Sequence, residues 1–189
     1  YFGTGFTNNY LSKISLYENT GTITEPHFTF VTDDFANISS LGFSQGIVPT
    51  FGDIDGDGDV DMLIGDYLGK LHVFTNSSSS LTSMNLSLTT TNLTDDNGTA
   101  IDVGYSAKPI LYDIDKDGKL DLIIGEENGN LNFYQNMGST TMPDFRLQSE
   151  TFGNVDVSEW WTTVGNSTPF LFENDVNETQ LFVGSQNGY

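Results

Sequence analysis

The chain has 189 residues, with 6 Lys+Arg against 26 Asp+Glu, a formal net charge of −20 and no cysteine. Such a charge is repelled by phosphate backbones and anionic lipid surfaces, which argues against nucleic-acid binding and peripheral membrane anchoring and leaves polyvalent cations and neutral ligands. Zero cysteine excludes disulfide bridges and thiolate metal sites, while 14 Phe and 8 Tyr in a chain that is 37% hydrophobic supply a packed core.

No apolar run approaches the roughly 20 residues of a membrane helix, so no membrane insertion is expected. From the N-terminus, the first readable segment is Lys13-Ile14-Ser15-Leu16-Tyr17-Glu18-Asn19, which recurs as Lys70 to Asn76 and as Asn130 to Asn136. An apolar run follows at Phe28 to Val31. Next comes Pro49-Thr50-Phe51-Gly52-Asp53-Ile54-Asp55, matched by Pro109 to Asp115 and Pro169 to Asp175 at a constant step of 60 residues. Val60 to Gly65 ends in Leu63-Ile64-Gly65, matched by Ile123-Ile124-Gly125 and Phe182-Val183-Gly184. Each of these is followed four residues later by a second glycine: Gly69, Gly129 and Gly188. Leu71 to Phe74 completes the unit. Tyr17, Gly21, Pro26 and Phe28 share their spacing with Tyr134, Gly138, Pro143 and Phe145, whereas the serine-rich stretch Ser77 to Ser80 has lost that pattern.

About three 60-residue repeats, each with four short strands separated by Gly, Asn, Asp or Pro, predict an all-β fold. The constant long period favours β-propeller blades of four antiparallel strands over a sandwich with duplicated hairpins. The repeat divides 1–189, read as a single repeat domain, into 1–27 as the end of one blade, 28–76 as the blade with the first charged loop, 77–136 as the blade with the second, and 137–189 as a partial blade. Four such units, the smallest closed ring, need more than 189 residues, so the blades are expected to be incomplete or assembled with further blades. Ile14 to Glu18 of one copy is expected to complete the blade begun by residues 169–189 of another copy, or of flanking sequence, as a ring or a fibre.

The charged loops are Asp53-Ile54-Asp55-Gly56-Asp57-Gly58-Asp59-Val60-Asp61 and Asp113-Ile114-Asp115-Lys116-Asp117-Gly118-Lys119-Leu120-Asp121. Carboxylates packed this closely repel one another unless a hard cation takes their oxygens, and Ca2+ accepts six to eight oxygen ligands in flexible geometry. Side-chain ligation is assigned to Asp53, Asp55, Asp57 and Asp61, and to Asp113, Asp115, Asp117 and Asp121. At Asp59 and Lys119 the ligand is assigned to the backbone carbonyl, since a lysine side chain cannot ligate. An EF-hand is excluded because its twelfth position requires Glu, and here Ile64 and Ile124 stand there. Mg2+ suits such a carboxylate cage less well, because it keeps most of its waters. Two Ca2+ sites are therefore expected. The third loop, with Glu173, Asp175 and Asn177, has lost its glycine to Glu178 and its last Asp to Leu181, and weak or no binding is expected. Asp95-Asp96-Asn97-Gly98 reads as a turn.

At these residues the chain resembles the FG-GAP/VCBS repeat family, whose repeats build integrin α-chain-like β-propellers. The likeness lies in the Asp-x-Asp-x-Asp-Gly-x-x-Asp loops, the Pro-x-Phe-Gly-Asp that precedes the first, the Leu-Ile-Gly that follows it, and Tyr17-Glu18-Asn19-Thr20-Gly21-Thr22. The resemblance implies a bladed propeller with Ca2+ in loops at one rim, an extracellular or cell-surface location, and a role in recognition or adhesion. It does not imply an enzyme, and the leading functional reading is a Ca2+-stabilised, non-catalytic extracellular propeller segment for adhesion or surface structure.

No nucleophile elbow, phosphate-cradling loop or His-rich cluster is present, and His27 and His72 read as structural or surface residues. The default reading of Trp160-Trp161 puts one ring in the core and one on the surface; the alternative makes the pair a sugar-stacking platform. A carbohydrate-binding propeller module, or an accessory domain of a larger polysaccharide-active enzyme, is the second functional reading. Sequons at Asn37, Asn76, Asn85, Asn92, Asn97, Asn166 and Asn177 are candidate glycosylation sites, and their crowding over 76 to 97 suggests an exposed loop. Expected partners are other copies or flanking blades, with a protein or glycan ligand.

Overall fold

In the computed structural model, which describes residues 11–43, 45–78 and 84–186, the repeated segments form antiparallel sheets and the fold is all-β. Gly188 and the Ser79–Ser80 part of the serine run lie outside the described residues. The chain divides into two units, Tyr1–Gly46 and Ile47–Tyr189. In the first unit, β1 (Leu16–Asn19) pairs with β2 (Phe28–Thr32), and a 3₁₀ segment follows at Phe35–Leu41, with Ala36 and Asn37 in left-handed backbone. Among the described residues, no helix is long and apolar enough to cross a membrane.

The second unit carries two four-stranded sheets and one hairpin. The first sheet has the order β3 (Val48–Gly52), β4 (Asp61–Gly65), β5 (Leu71–Asn76), β6 (Leu86–Thr90). The second repeats it with β7 (Lys108–Tyr112), β8 (Asp121–Gly125), β9 (Leu131–Asn136) and β10 (Phe145–Ser149), and β11 (Thr168–Glu173) pairs with β12 (Thr179–Gly184). The registers repeat as well: Pro49 faces Ile64 as Pro109 faces Ile124 and Pro169 faces Val183. The second strands, Asp61-Met62-Leu63-Ile64-Gly65 and Asp121-Leu122-Ile123-Ile124-Gly125, are buried throughout, which is why they read as continuous apolar runs and not as alternation.

The sheets are phased one strand later than the 28–76 and 77–136 boundaries read from sequence. Phe28–Thr32 pairs with β1 and not with β3, and Leu86–Thr90, where no strand is predicted, completes the first sheet against β5. The reason is a side-chain device at the end of each third strand. Asn136 Oδ1 accepts hydrogen bonds from the backbone N–H groups of Gly138 and Asp144, both at 3.0 Å. Asn19 Oδ1 does the same for Gly21 and His27 at 3.0 and 2.9 Å, and Asn76 Oδ1 for Ser78 and Asn85 at 3.1 and 2.9 Å. Because one asparagine pins both ends of the connection, the serine-rich version keeps the hairpin without the Gly/Pro spacing.

Successive sheets of the second unit meet along the same joint. The Asp66 carbonyl accepts from Ala107 N–H, and 60 residues on the Glu126 carbonyl accepts from Ser167 N–H, both at 3.0 Å. At Gly65 and Gly125 the backbones approach so closely that a Cβ would collide with the Ala107 and Ser167 carbonyl oxygens and lie 2.6 and 2.7 Å from Pro109 and Pro169 Cδ. The main core lies between the two four-stranded sheets, where Leu63, Leu71, Val73, Ile101 and Ala107 meet Leu122, Ile124, Tyr134 and Phe145. The two-stranded sheets lack such cover: Phe28 is 66% exposed where its counterpart Phe145 is 2%, and Phe182 is 58% exposed where Ile123 is fully buried.

Candidate functional site

Each charged loop joins the first two strands of a four-stranded sheet, so both occupy the same place in the repeat. They also lie at the same end of the sheets. The first loop packs at Gly56 against Thr140 in the β9–β10 connection, and Lys119 of the second donates to the Asn136 and Gly138 carbonyls that open that connection. In the first loop, Gly56 and Gly58 have φ of 71° and 94°, a left-handed path that turns the chain around a centre. Asp53 accepts from the N–H groups of Gly56 and Gly58 at 2.7 and 3.1 Å, Asp55 from Asp57 at 3.3 Å, and Asp57 from Asp59 at 2.8 Å.

Asp61, fully buried, accepts from Ile54 N–H at 2.9 Å through one oxygen and from Asn76 N–H at 2.8 Å through the other. One oxygen each from Asp53, Asp55 and Asp61 gathers within 4.8 Å, a set that could hold a metal ion. Burial, then the neighbouring Asp61 charge, holds the Asp55 carboxyl above its usual range. Among the described residues, no Lys or Arg pairs with any of the five acids of this loop.

The second loop repeats the frame with different charges. Asp113 accepts from Asp117 and Gly118 N–H at 3.1 and 2.9 Å, and Asp121 bridges Ile114 N–H and Asn136 N–H at 3.1 and 2.8 Å. Here Asp113, Asp115 and Asp117 form the group that could hold an ion. Of the four side chains expected to ligate in each loop, three therefore come together: Asp57 stands outside the first group and Asp121 outside the second. Asp121 is pushed up by burial, an effect opposed by its two backbone donors. Lys119 Nζ sits 2.8 Å from Asp117 Oδ2; that hydrogen bond lowers the Asp117 carboxyl and raises the lysine. Gln135 Nε2 donates to Asp115 at 2.7 Å, and Lys116 reaches Glu173 at the same distance.

In the third loop, Asn174 Oδ1 accepts from Val176 and Glu178 N–H in a tight turn, and Glu173 is committed to Lys116. Glu173, Asp175 and Asn177 form no metal-holding group among the described residues. The bridging of two strands by Asp61 and Asp121 was missed in the sequence, where both read only as ninth-position ligands; their recurrence 15 residues before Asn76 and Asn136 was the available signal.

Asn76 does not suit glycosylation: it is buried and its carboxamide fixes the β5–β6 connection, so a glycan on its Nδ2 has no room in this fold. Asn166 is half-buried, accepts from Lys108 Nζ and donates to Gln186, while Asn37, Asn85, Asn92, Asn97 and Asn177 are exposed. Asp95 forms the expected turn, accepting from Asn97 and Thr99 N–H.

His72 is 5% exposed and faces Asp66, and burial lowers its pKa below the usual 6.5. Trp160 and Trp161 overturn the core reading of that pair. Both sit on the Glu159–Thr162 turn, 90% and 54% exposed, with ring centroids 5.2 Å apart and planes at 88°. A turn of this size projects both rings outward instead of splitting them between core and surface.

Compared with family models, curated proteins and solved structures, the chain matches none.

Proposed function

We propose that this chain is a non-catalytic, Ca2+-stabilised repeat module of the FG-GAP/VCBS kind, its four-stranded sheets being propeller blades, that serves extracellular recognition or adhesion. The observation that carries this reading is the recurrence, at one position of two successive sheets, of three convergent carboxylate oxygens within 4.8 Å. Their chemistry fits a hard cation: oxygen donors only, on a backbone curled by left-handed glycines, with crowded acids that in the first loop lack basic partners among the described residues. Asp53, Asp55 and Asp61 would hold one ion and Asp113, Asp115 and Asp117 the other. Each ion would neutralise its loop and tie the first hairpin of the sheet together. Calorimetric titration of chelator-treated protein with CaCl2 should give two binding events and a higher melting temperature; no heat, together with identical melting curves with and without Ca2+, would overturn the reading.

The exposed Phe28, Phe30, Phe170 and Phe182 on the two-stranded sheets support a further part of it, that strands from another copy or from flanking sequence complete these sheets. Sedimentation showing concentration-dependent assembly, reduced by Phe182→Ser, is the expected outcome; a monomer at all concentrations would count against supply of those strands by another copy.

A further inference from the structure

A cleft of about 870 Å³ opens on the second sheet of the second unit, away from the charged loops. Its volume lies within the range of small-molecule sites. Trp160 and Trp161 stand on one wall, and the β9 residue Asn132 lies in its lining. Asn132 is only 6% exposed, yet its carboxamide has no hydrogen-bond partner among the described residues. Among the described residues, no polar side-chain atom fully sealed from solvent lacks a partner, so this amide opens onto the cleft. An amide buried to this degree without a partner costs stability unless something supplies its bonds.

The first sheet shows what a satisfied version looks like. Sixty residues earlier the same position is His72, whose ring nitrogens lie 3.5 Å from Asp66 and 3.4 Å from Asn92 N–H. In the second sheet Glu126 replaces Asp66 and is taken by its own neighbour, accepting from the Asn128 backbone and side chain at 3.0 and 3.3 Å. Asn132 is left to bond outward.

Of the other acids of the lining, Asp102 is paired with Lys70 at 2.6 Å and Asp156 accepts from Ser158 N–H at 2.9 Å, while Glu150, exposed, and Glu159, half-buried, keep carboxylates in contact with solvent without a Lys or Arg partner among the described residues. The deep group still to be satisfied is thus a neutral carboxamide, which needs both a donor and an acceptor. An ammonium cannot accept its N–H, and an anion meets a wall with carboxylates and no Lys or Arg. A hydroxylated ring supplies donor and acceptor together, and its C–H face covers an exposed indole.

We propose that this cleft binds a neutral sugar residue of an oligosaccharide, stacked on Trp160 and hydrogen-bonded to Asn132. This binding is independent of the cation reading, and it is measured in excess Ca2+ on protein shown to melt as wild type. Trp160 and Trp161 are the only tryptophans of the chain, so tryptophan emission reports this cleft alone. Hexasaccharides of glucose, mannose, galactose and N-acetylglucosamine are titrated, with oligogalacturonate and cadaverine as anionic and cationic comparators. At least one neutral hexasaccharide should shift the emission saturably. By calorimetry, Trp160→Ala and Asn132→Leu should each weaken that binding about tenfold. Trp160→Ala, at an exposed position, should keep the wild-type melting temperature, which separates lost contact from lost fold. The proposal is overturned if no neutral hexasaccharide responds, if cadaverine or oligogalacturonate binds in its place, or if Trp160→Ala binds as tightly as wild type.

Discussion

The loops Asp53–Asp61 and Asp113–Asp121 share a backbone frame and differ in where their compensating charge comes from. In the first, five acids face one another with no basic partner among the described residues. In the second, Lys119 is bonded to Asp117 and to the Asn136 carbonyl, and Gln135 donates to Asp115. The ninth-position Asp does the same mechanical work in both, bridging the loop to the third strand. One motif thus carries a bridging carboxylate, alike in the two copies, and a group of converging acids whose members and basic partners differ: Asp61 belongs to both in the first loop, whereas Asp121 only bridges in the second.

The largest expected effect tests the equal half. Asp61→Ala and Asp121→Ala should each cost roughly 2–5 kcal/mol in denaturant unfolding, because the first strands three backbone donors, one of them at a long 3.4 Å, and the second strands two. Asn at either position keeps one acceptor oxygen and should recover about half of that loss. A twofold or greater disparity between the two alanine variants would break the equivalence.

The unequal half is read by chelation. If ions bind only the folded chain, removing one from a solution at about a hundred times its dissociation constant should lower the melting temperature by about 5–10 °C. Asp55→Ala should abolish more of that shift than Asp115→Ala, since no Lys or Arg among the described residues pairs with an acid of its loop. A smaller effect is expected from Lys119→Gln, which frees Asp117 and should raise cation affinity at the second loop about three- to tenfold in calorimetry. Unchanged affinity would mean that Lys119 does not compete with the ion.

The smallest effect contrasts His72 with Asn132. Burial disfavours the charged imidazole of His72 by more than Asp66 favours it, so its folded pKa lies below the unfolded value of 6.5. As pH falls below 6.5 the unfolded chain takes up the proton first and stability is lost; above that value the contribution is fully present. Wild type should therefore lose more stability than His72→Asn between about pH 7 and pH 5, measured by urea unfolding at both values. Parallel losses would show that the imidazole is not the titrating group.

The features carried by short-range spacing were legible in the sequence: the 60-residue step, the loop acids, and β4 and β8 as apolar runs between an Asp and a Gly. What was not legible depended on a side chain acting at a distance. The β6 strand was hidden because Asn76 holds its hairpin through Ser78 and Asn85 without the Gly/Pro punctuation seen after Asn19 and Asn136. The choice of Asp61 in one group of converging acids and Asp117 in the other depends on how each loop closes, and the shared nine-residue pattern of acids does not show that difference. Trp160 and Trp161 could not be placed by composition, because a two-residue turn tip exposes apolar rings that an extended strand would have divided between two faces.

The joint at Gly65 and Gly125 also bears on how cooperatively the second unit unfolds. Its two four-stranded sheets touch through backbone at Gly65, where even a methyl group does not fit, and they also share the core of Leu63, Leu71, Val73, Leu122, Ile124 and Tyr134, so the joint adds a rigid contact to a broad apolar one. In an array whose elements contact mainly their neighbours, cooperativity is the strength of such junctions relative to the stability of each element. Gly65→Ala should therefore strain the junction between the sheet of β3–β6 and that of β7–β10 while the shared core still holds them, and the calorimetric transition should broaden and move to lower temperature.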